Sequence, residues 1–80
     1  MQTIAQLSIG QRATIVDFDI DSIPLKLIEM GCLPGNTVEL LAIAPFGCPL
    51  FLNINESHLA IRLETASLIS IEITNNEPQQ

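Results

Sequence analysis

Aromatic and basic residues are scarce in this sequence. It has no tryptophan or tyrosine, three phenylalanines, and three basic residues against nine acidic ones, for a net charge of -6. Binding to a phosphate backbone requires positive charge, and binding to proline-rich peptides or unpaired bases uses an aromatic groove. These two shortages predict that nucleic acid is not a partner, and they disfavour both of the aromatic-groove functions.

Long hydrophobic runs and a signal peptide are also missing. The longest non-polar run, from Leu40 to Leu52, is broken by two prolines and a glycine, and is well short of the roughly 20 residues of a membrane-spanning helix. The first residues have neither the basic nor the apolar region of a signal peptide. We therefore expect a cytoplasmic protein that does not span a membrane, with Cys32 and Cys48 as reduced thiols.

What the sequence does contain is enough apolar material for one small domain. It has 80 residues, of which 48% are hydrophobic and 15% are charged. This composition is typical of a folded chain and not of a disordered one. We predict a single domain over residues 1–73 and a disordered polar tail over residues 74–80, where no apolar side chain could anchor the chain.

The pattern of apolar residues predicts mostly short strands. Alternation and β-branched residues indicate strands at 12–18, 37–44, 50–55, 59–63 and 68–73, after a lead-in segment that places Ile4 and Leu7 against the core. One short helix is predicted over 23–31, with Asp21 or Ser22 as its cap, and residues 64–67 suit a single 3₁₀ turn. Closing a sheet of such strands into a barrel removes its exposed edges. The predicted fold is therefore mainly β, a small SH3-like partly open β-barrel with one short α-helix. The five-stranded oligonucleotide-binding barrel is the nearest alternative.

Three short motifs carry a resemblance to a known family. They are M-G-x-L-P-G at residues 30–35, A-P-F-G-x-P-L at 44–50 and A-I-R at 60–62. In this order and spacing they resemble the FeoA family, small cytoplasmic accessory proteins of bacterial ferrous iron transport, over roughly residues 3–73. The resemblance implies a non-enzymatic regulatory module whose partner is a large membrane ferrous iron transporter with a cytoplasmic G domain. It also implies recruitment to the inner face of the membrane by that partner.

Two other functions remain open at this point. The chain could carry ferrous iron directly, or it could be a stand-alone relative of the SH3-like domain of iron-dependent repressors. The second alternative requires a helix-turn-helix partner chain, which this sequence does not supply.

Two sets of residues suggest metal binding, and neither has a recognised pattern. Asp17, Asp19 and Asp21 resemble the start of an EF-hand loop, but Ser22 and Ile28 stand where that loop requires glycine and glutamate. Cys32, Cys48 and His58 lack the close Cys-x₂-Cys pairing of zinc and iron–sulfur sites. We read Cys32 as a small buried hydrophobic residue, Cys48 as an exposed thiol and His58 as a turn residue. We therefore predict no metal site and no cofactor.

No group of residues has the arrangement of a catalytic site. The single histidine has no recognisable nucleophile motif near it, so we predict that the protein is not an enzyme.

Apolar residues on and beyond the strand at 37–44 exceed what one core face requires. Either the barrel buries these residues under the helix and the lead-in segment, or they form a partner-binding surface, which would also suit contact between copies of the chain. Its predicted members are Leu41, Ile43, Pro45, Phe46, Gly47, Pro49 and Phe51.

Overall fold

Six antiparallel strands form one sheet, to which short helical segments are added. The computed structural model describes residues 2–74. The strands are β1 (Gln2–Thr3), β2 (Arg12–Asp17), β3 (Thr37–Ile43), β4 (Leu50–Ile54), β5 (Ser57–Ile61) and β6 (Ser70–Ile73), and the helices are α1 (Leu25–Glu29) and α2 (Leu63–Ala66). The strand order is β1-β6-β2-β3-β4-β5. The mainly β, SH3-like class predicted from the sequence is confirmed.

The core lies on one side of the sheet. Alternate residues of β2 to β6 supply it, since successive side chains of a strand point to opposite faces. The largest fully buried side chains include Ile4, Ile15, Leu40, Leu52, Ile54 and Ile69. Ile4 and Leu7 of the lead-in segment are buried, which confirms that prediction.

The two ends of the strand order meet through helical segments. A 3₁₀ turn at Ile4–Gln6 follows β1, α2 follows β5, and these two segments contact each other. The Ile4 N–H also donates to the Ile69 carbonyl oxygen at 3.1 Å. The sheet thus closes by helix contact rather than by strand pairing between β1 and β5, which gives the partly open barrel.

Two predicted helical segments differ from the structure. Helix α1 is shorter than the predicted 23–31, because Ile23 is extended (φ −110, ψ 132), the conformation that a following proline favours. Neither Asp21 nor Ser22 caps α1. Instead, Ile20–Ser22 forms a separate 3₁₀ turn, in which the Asp19 side chain accepts a hydrogen bond from the Asp21 N–H. Residues 63–66 form a short α-helix where a 3₁₀ turn was predicted, so the described residues contain two α-helices instead of one.

The helix-end motif joins α1 to two other parts of the fold. Gly31 has φ +106, and a Cβ built there would lie 2.8 Å from the Asn55 Cβ, in the turn between β4 and β5. The Asn36 Nδ2 donates to the Gly31 carbonyl oxygen at 2.7 Å. Only glycine fits here without displacing its neighbour, because both the backbone angle and the space exclude a side chain.

The Pro34-Gly35 turn leads from the helix into β3. The Asn36 N–H donates to the Leu33 carbonyl oxygen and Gly35 has φ +95, the pattern of a type II turn with proline and glycine at its centre. The Gly35 N–H donates to the Ile15 carbonyl oxygen at 2.8 Å, and the Ile15 N–H donates to the Asn36 carbonyl oxygen at 2.9 Å. The turn is therefore attached to β2 as well as to β3.

The described residues end one position into the predicted tail. The Thr74 N–H donates to the Arg12 carbonyl oxygen at 3.1 Å, which continues the contact between β6 and β2. Residues 75–80 lie outside the described residues, and the predicted boundary of the domain stays a prediction. None of the helices within residues 2–74 has the length and apolar character needed to cross a membrane.

Candidate protein interaction surface

The connection between β3 and β4 presents an aromatic ring to solvent. The Gly47 N–H donates to the Ala44 carbonyl oxygen at 2.8 Å, which places Pro45 and Phe46 at the centre of a tight turn. The Ala44 N–H donates to the Pro49 carbonyl oxygen at 3.1 Å and closes the loop at its base. Phe46 is 98% exposed, so its ring gains almost nothing from intramolecular burial.

A β-bulge in β3 changes which residues share a face. Leu40 pairs with Leu52 and Ala42 pairs with Phe51, so Leu41 is the extra residue of β3 at this point. Unbroken alternation would place Leu41 and Ile43 on the same face, but the extra residue changes the face on which Ile43 lies. Ile43 pairs with Leu50, a core residue, and directly opposed residues point to the same side of a sheet. Ile43 therefore belongs to the rim of the core side.

Across the outer face, an apolar row runs over three strands. Phe51 pairs with Ala42 on one side and with Ala60 on the other, and all three are exposed. Leu41 and Phe51 line a shallow groove of about 410 Å³ together with residues of β5. The structure thus brings Leu41 and Phe51 together, and holds Pro45, Phe46, Gly47 and Pro49 in the loop beyond them.

Two of the three aspartates that resemble the start of a calcium loop, Asp17 and Asp19, accept local hydrogen bonds through their carboxylates. The Asp17 Oδ1 accepts the Phe18 N–H at 2.9 Å. The Asp19 carboxylate accepts the Asp21 N–H at 3.1 Å and the Ser22 hydroxyl at 3.3 Å. The Asp17 and Asp19 carboxylates stabilise the chain where β2 ends and the 3₁₀ turn begins.

Cys32, Cys48 and His58, the second set of candidate metal ligands, occupy separate environments. Cys32 is buried, and desolvation raises the pKa of its thiol from 9.0 to about 11. Cys48 is exposed, and its Sγ accepts the Leu63 N–H at 3.2 Å. His58 lies within β5 and not in a turn as predicted, because the turn falls on Asn55 and Glu56, both with positive φ. Among residues 2–74, no three His, Cys, Asp or Glu side chains are grouped so that they could hold a metal ion.

Comparison with known proteins relates this fold to proteins of iron transport. The FeoA domain family model matches residues 2–73. The FeoA protein of Chlorobium tepidum is 25% identical with a TM-score of 0.84, and the match covers 96% of this chain and 75% of that one. Iron(II) transport protein A of Clostridium thermocellum is 28% identical with a TM-score of 0.78, over 90% of this chain and 45% of that one. Zinc-complexed FeoA of Stenotrophomonas maltophilia, described as an SH3 domain protein, is 23% identical with a TM-score of 0.75, over 90% of this chain and 91% of that one.

Proposed function

The chain belongs to the FeoA family of SH3-like proteins associated with ferrous iron transport, and we propose that it regulates a membrane ferrous iron transporter by binding the transporter's cytoplasmic G-domain region. In this proposal the chain catalyses no reaction itself. Its part is to bind, and the β3–β4 hairpin supplies the contact.

The observation that carries the proposal is the exposure of Phe46. A phenylalanine at the tip of a tight turn stabilises the isolated protein little, whereas an aromatic side chain buried in a partner's pocket is a common source of binding energy. The neighbouring groove with Leu41 and Phe51 extends this apolar contact along the outer face. The Stenotrophomonas protein has been suggested to act as an activating factor of ferrous iron transport, which agrees with a regulatory role.

Copurification with the transporter tests this proposal. We expect the wild-type chain to be retained by the tagged transporter from detergent-solubilised membranes, and Phe46→Ala to be largely lost. Ile20→Ala is the matched control, because Ile20 is 61% exposed but lies outside the hairpin. Equal retention of wild type and Phe46→Ala would exclude the hairpin tip as the contact.

An anaerobic titration with ferrous iron distinguishes the proposal from direct iron carriage. We expect no stoichiometric binding at micromolar concentration, since Cys32, Cys48 and His58 are not grouped. Stoichiometric binding that is lost on replacing Cys48 and His58 would support a carrier and contradict the regulatory proposal.

A further inference from the structure

The free edge of β5 borders a second groove, distinct from the one that contains Leu41 and Phe51. Strand β5 pairs with β4 alone among the described strands and ends the strand order. On its far side lies helix α1, and between them is an open groove of about 460 Å³. Its apolar lining comes from both elements, including Leu27 and Met30 of the α1 region and Leu59 and Ile61 of β5.

Backbone groups along this edge have no strand partner within residues 2–74. The turn Asn55-Glu56 has two residues with φ of 52 and 67, and in such a hairpin the flanking pair, Ile54 and Ser57, is hydrogen-bonded. Hydrogen-bonded and non-hydrogen-bonded pairs alternate along an antiparallel ladder. His58 and Ala60 therefore direct their N–H and carbonyl groups away from β4, toward the free edge.

Positive charge is concentrated at this groove. Lys26 and Arg62, two of the three basic residues in a chain with a net charge of -6, line it together with the single histidine. Neither cation forms an ion pair with a carboxylate of residues 2–74. The neighbouring carboxylates Glu29 and Glu64 are exposed and are not part of the lining.

From this combination we propose that the β5 edge binds an extended acidic peptide segment of a partner protein by strand addition. Main-chain hydrogen bonds to His58 and Ala60 hold the segment, apolar side chains fill the groove, and its carboxylates face Lys26 and Arg62. A second copy of this chain fits less well, because pairing β5 with itself brings the same cations together. The proposal does not require the hairpin contact, although His58, Leu59 and Ala60 of β5 line both grooves.

An NMR titration of the ¹⁵N-labelled chain with the peptide acetyl-Glu-Val-Glu-Val-Glu-Val-amide tests this inference. We expect saturable shifts at the amides of His58 and Ala60 and in α1, and binding at least about tenfold weaker for the lysine counterpart of the peptide. The double variant Lys26→Gln/Arg62→Gln should weaken binding at least about tenfold, while Arg12→Gln, which removes the remaining basic side chain outside the groove, should change it less than about twofold.

Two further measurements separate strand addition from simple charge attraction. Two peptides should be compared, one methylated at the backbone nitrogens of its Glu residues and the other at those of its Val residues. One of them should lose binding and the other should keep it, because only alternate N–H groups of an added strand face β5. Ala60→Pro removes an outward N–H and should reduce affinity at least about tenfold in a chain that still folds.

Several results would overturn the inference. They are binding that tolerates both methylations, shifts confined to the β3–β4 hairpin, no saturable binding, or concentration-dependent shifts at His58 and Ala60 without peptide, which would indicate a second copy at this edge. The methylated peptides decide the question even if Ala60→Pro does not fold.

Discussion

Two proline-containing turns of this chain differ in what surrounds them. The turn from Leu33 to Asn36 is bonded to β2 through Gly35, and the adjacent Gly31 lies against Asn55. The backbone bonds of the turn from Ala44 to Gly47 stay within its own hairpin, and a Cβ added at Gly47 would meet nothing within 4 Å. Similar turn residues thus join distant elements in one region and display a side chain in the other.

The largest effect expected from this contrast is the loss of stability in Gly31→Ala. The new Cβ would combine a left-handed backbone with a clash against Asn55, and together these should cost about 3 kcal/mol. Thermal unfolding should show a fall in Tm of more than about 10 °C.

Gly47→Ala is the control for that comparison. Gly47 has φ +88 but open space around it, so only the backbone cost of about 1 kcal/mol should remain. We call the region from Gly31 to Asn36 the joining turn and the turn from Ala44 to Gly47 the displaying turn. Equal losses of stability in the two variants would contradict the distinction between them.

A smaller effect is expected from removing the side-chain bond that stabilises the helix end. Asn36→Ala eliminates the donor to the Gly31 carbonyl oxygen and should reduce the free energy of unfolding by about 1–2 kcal/mol in urea denaturation. Asn53→Ala is the comparison, since the buried Asn53 Oδ1 accepts no hydrogen bond from any group of residues 2–74. A loss in Asn36→Ala that is no larger than the loss in Asn53→Ala would show that the Asn36 bond contributes little.

The buried thiol near the helix end should make stability depend on alkaline pH. Burial raises the pKa of Cys32 to about 11, above its value in the unfolded chain, so the folded state retains the proton where the unfolded state loses it. The contribution of the protonated Cys32 thiol to the free energy of unfolding is fully present below pH 9 and should fall as pH rises from about 9 to about 11. Denaturation across this range should show a smaller decline in Cys32→Ala than in Cys48→Ala; equal declines would mean that Cys32 is not responsible.

The joining turn is easier to predict from the sequence than the displaying hairpin. Gly31 and the Pro34-Gly35 pair indicate their role directly, because few other residues adopt the angles found there. The bulge at Leu41 carries no such signal, since an extra apolar residue inside an apolar strand looks like ordinary continuation. Unbroken alternation therefore assigns Ile43 to the wrong face.

The position of His58 is hard to predict for a related reason. Asn55 and Glu56 form the turn, and although asparagine tolerates positive φ, glutamate is not a usual hairpin residue. The sequence pattern consequently favours a later turn, at Ser57 and His58. The basic groove has no sequence signal either, because Lys26 and Arg62 are far apart in the chain and meet only when α1 lies beside β5.

The smallest effect on stability, and the most direct test of the proposed contact, is expected for Phe46→Ala. Affinity for the purified transporter in detergent should be measured alongside thermal unfolding of the same variant. We expect association weaker by about 1–2 kcal/mol, roughly tenfold, with stability changed by less than about 0.5 kcal/mol. An unchanged affinity, or a loss of affinity that only accompanies unfolding, would contradict the assignment of the β3–β4 hairpin as the transporter-binding surface.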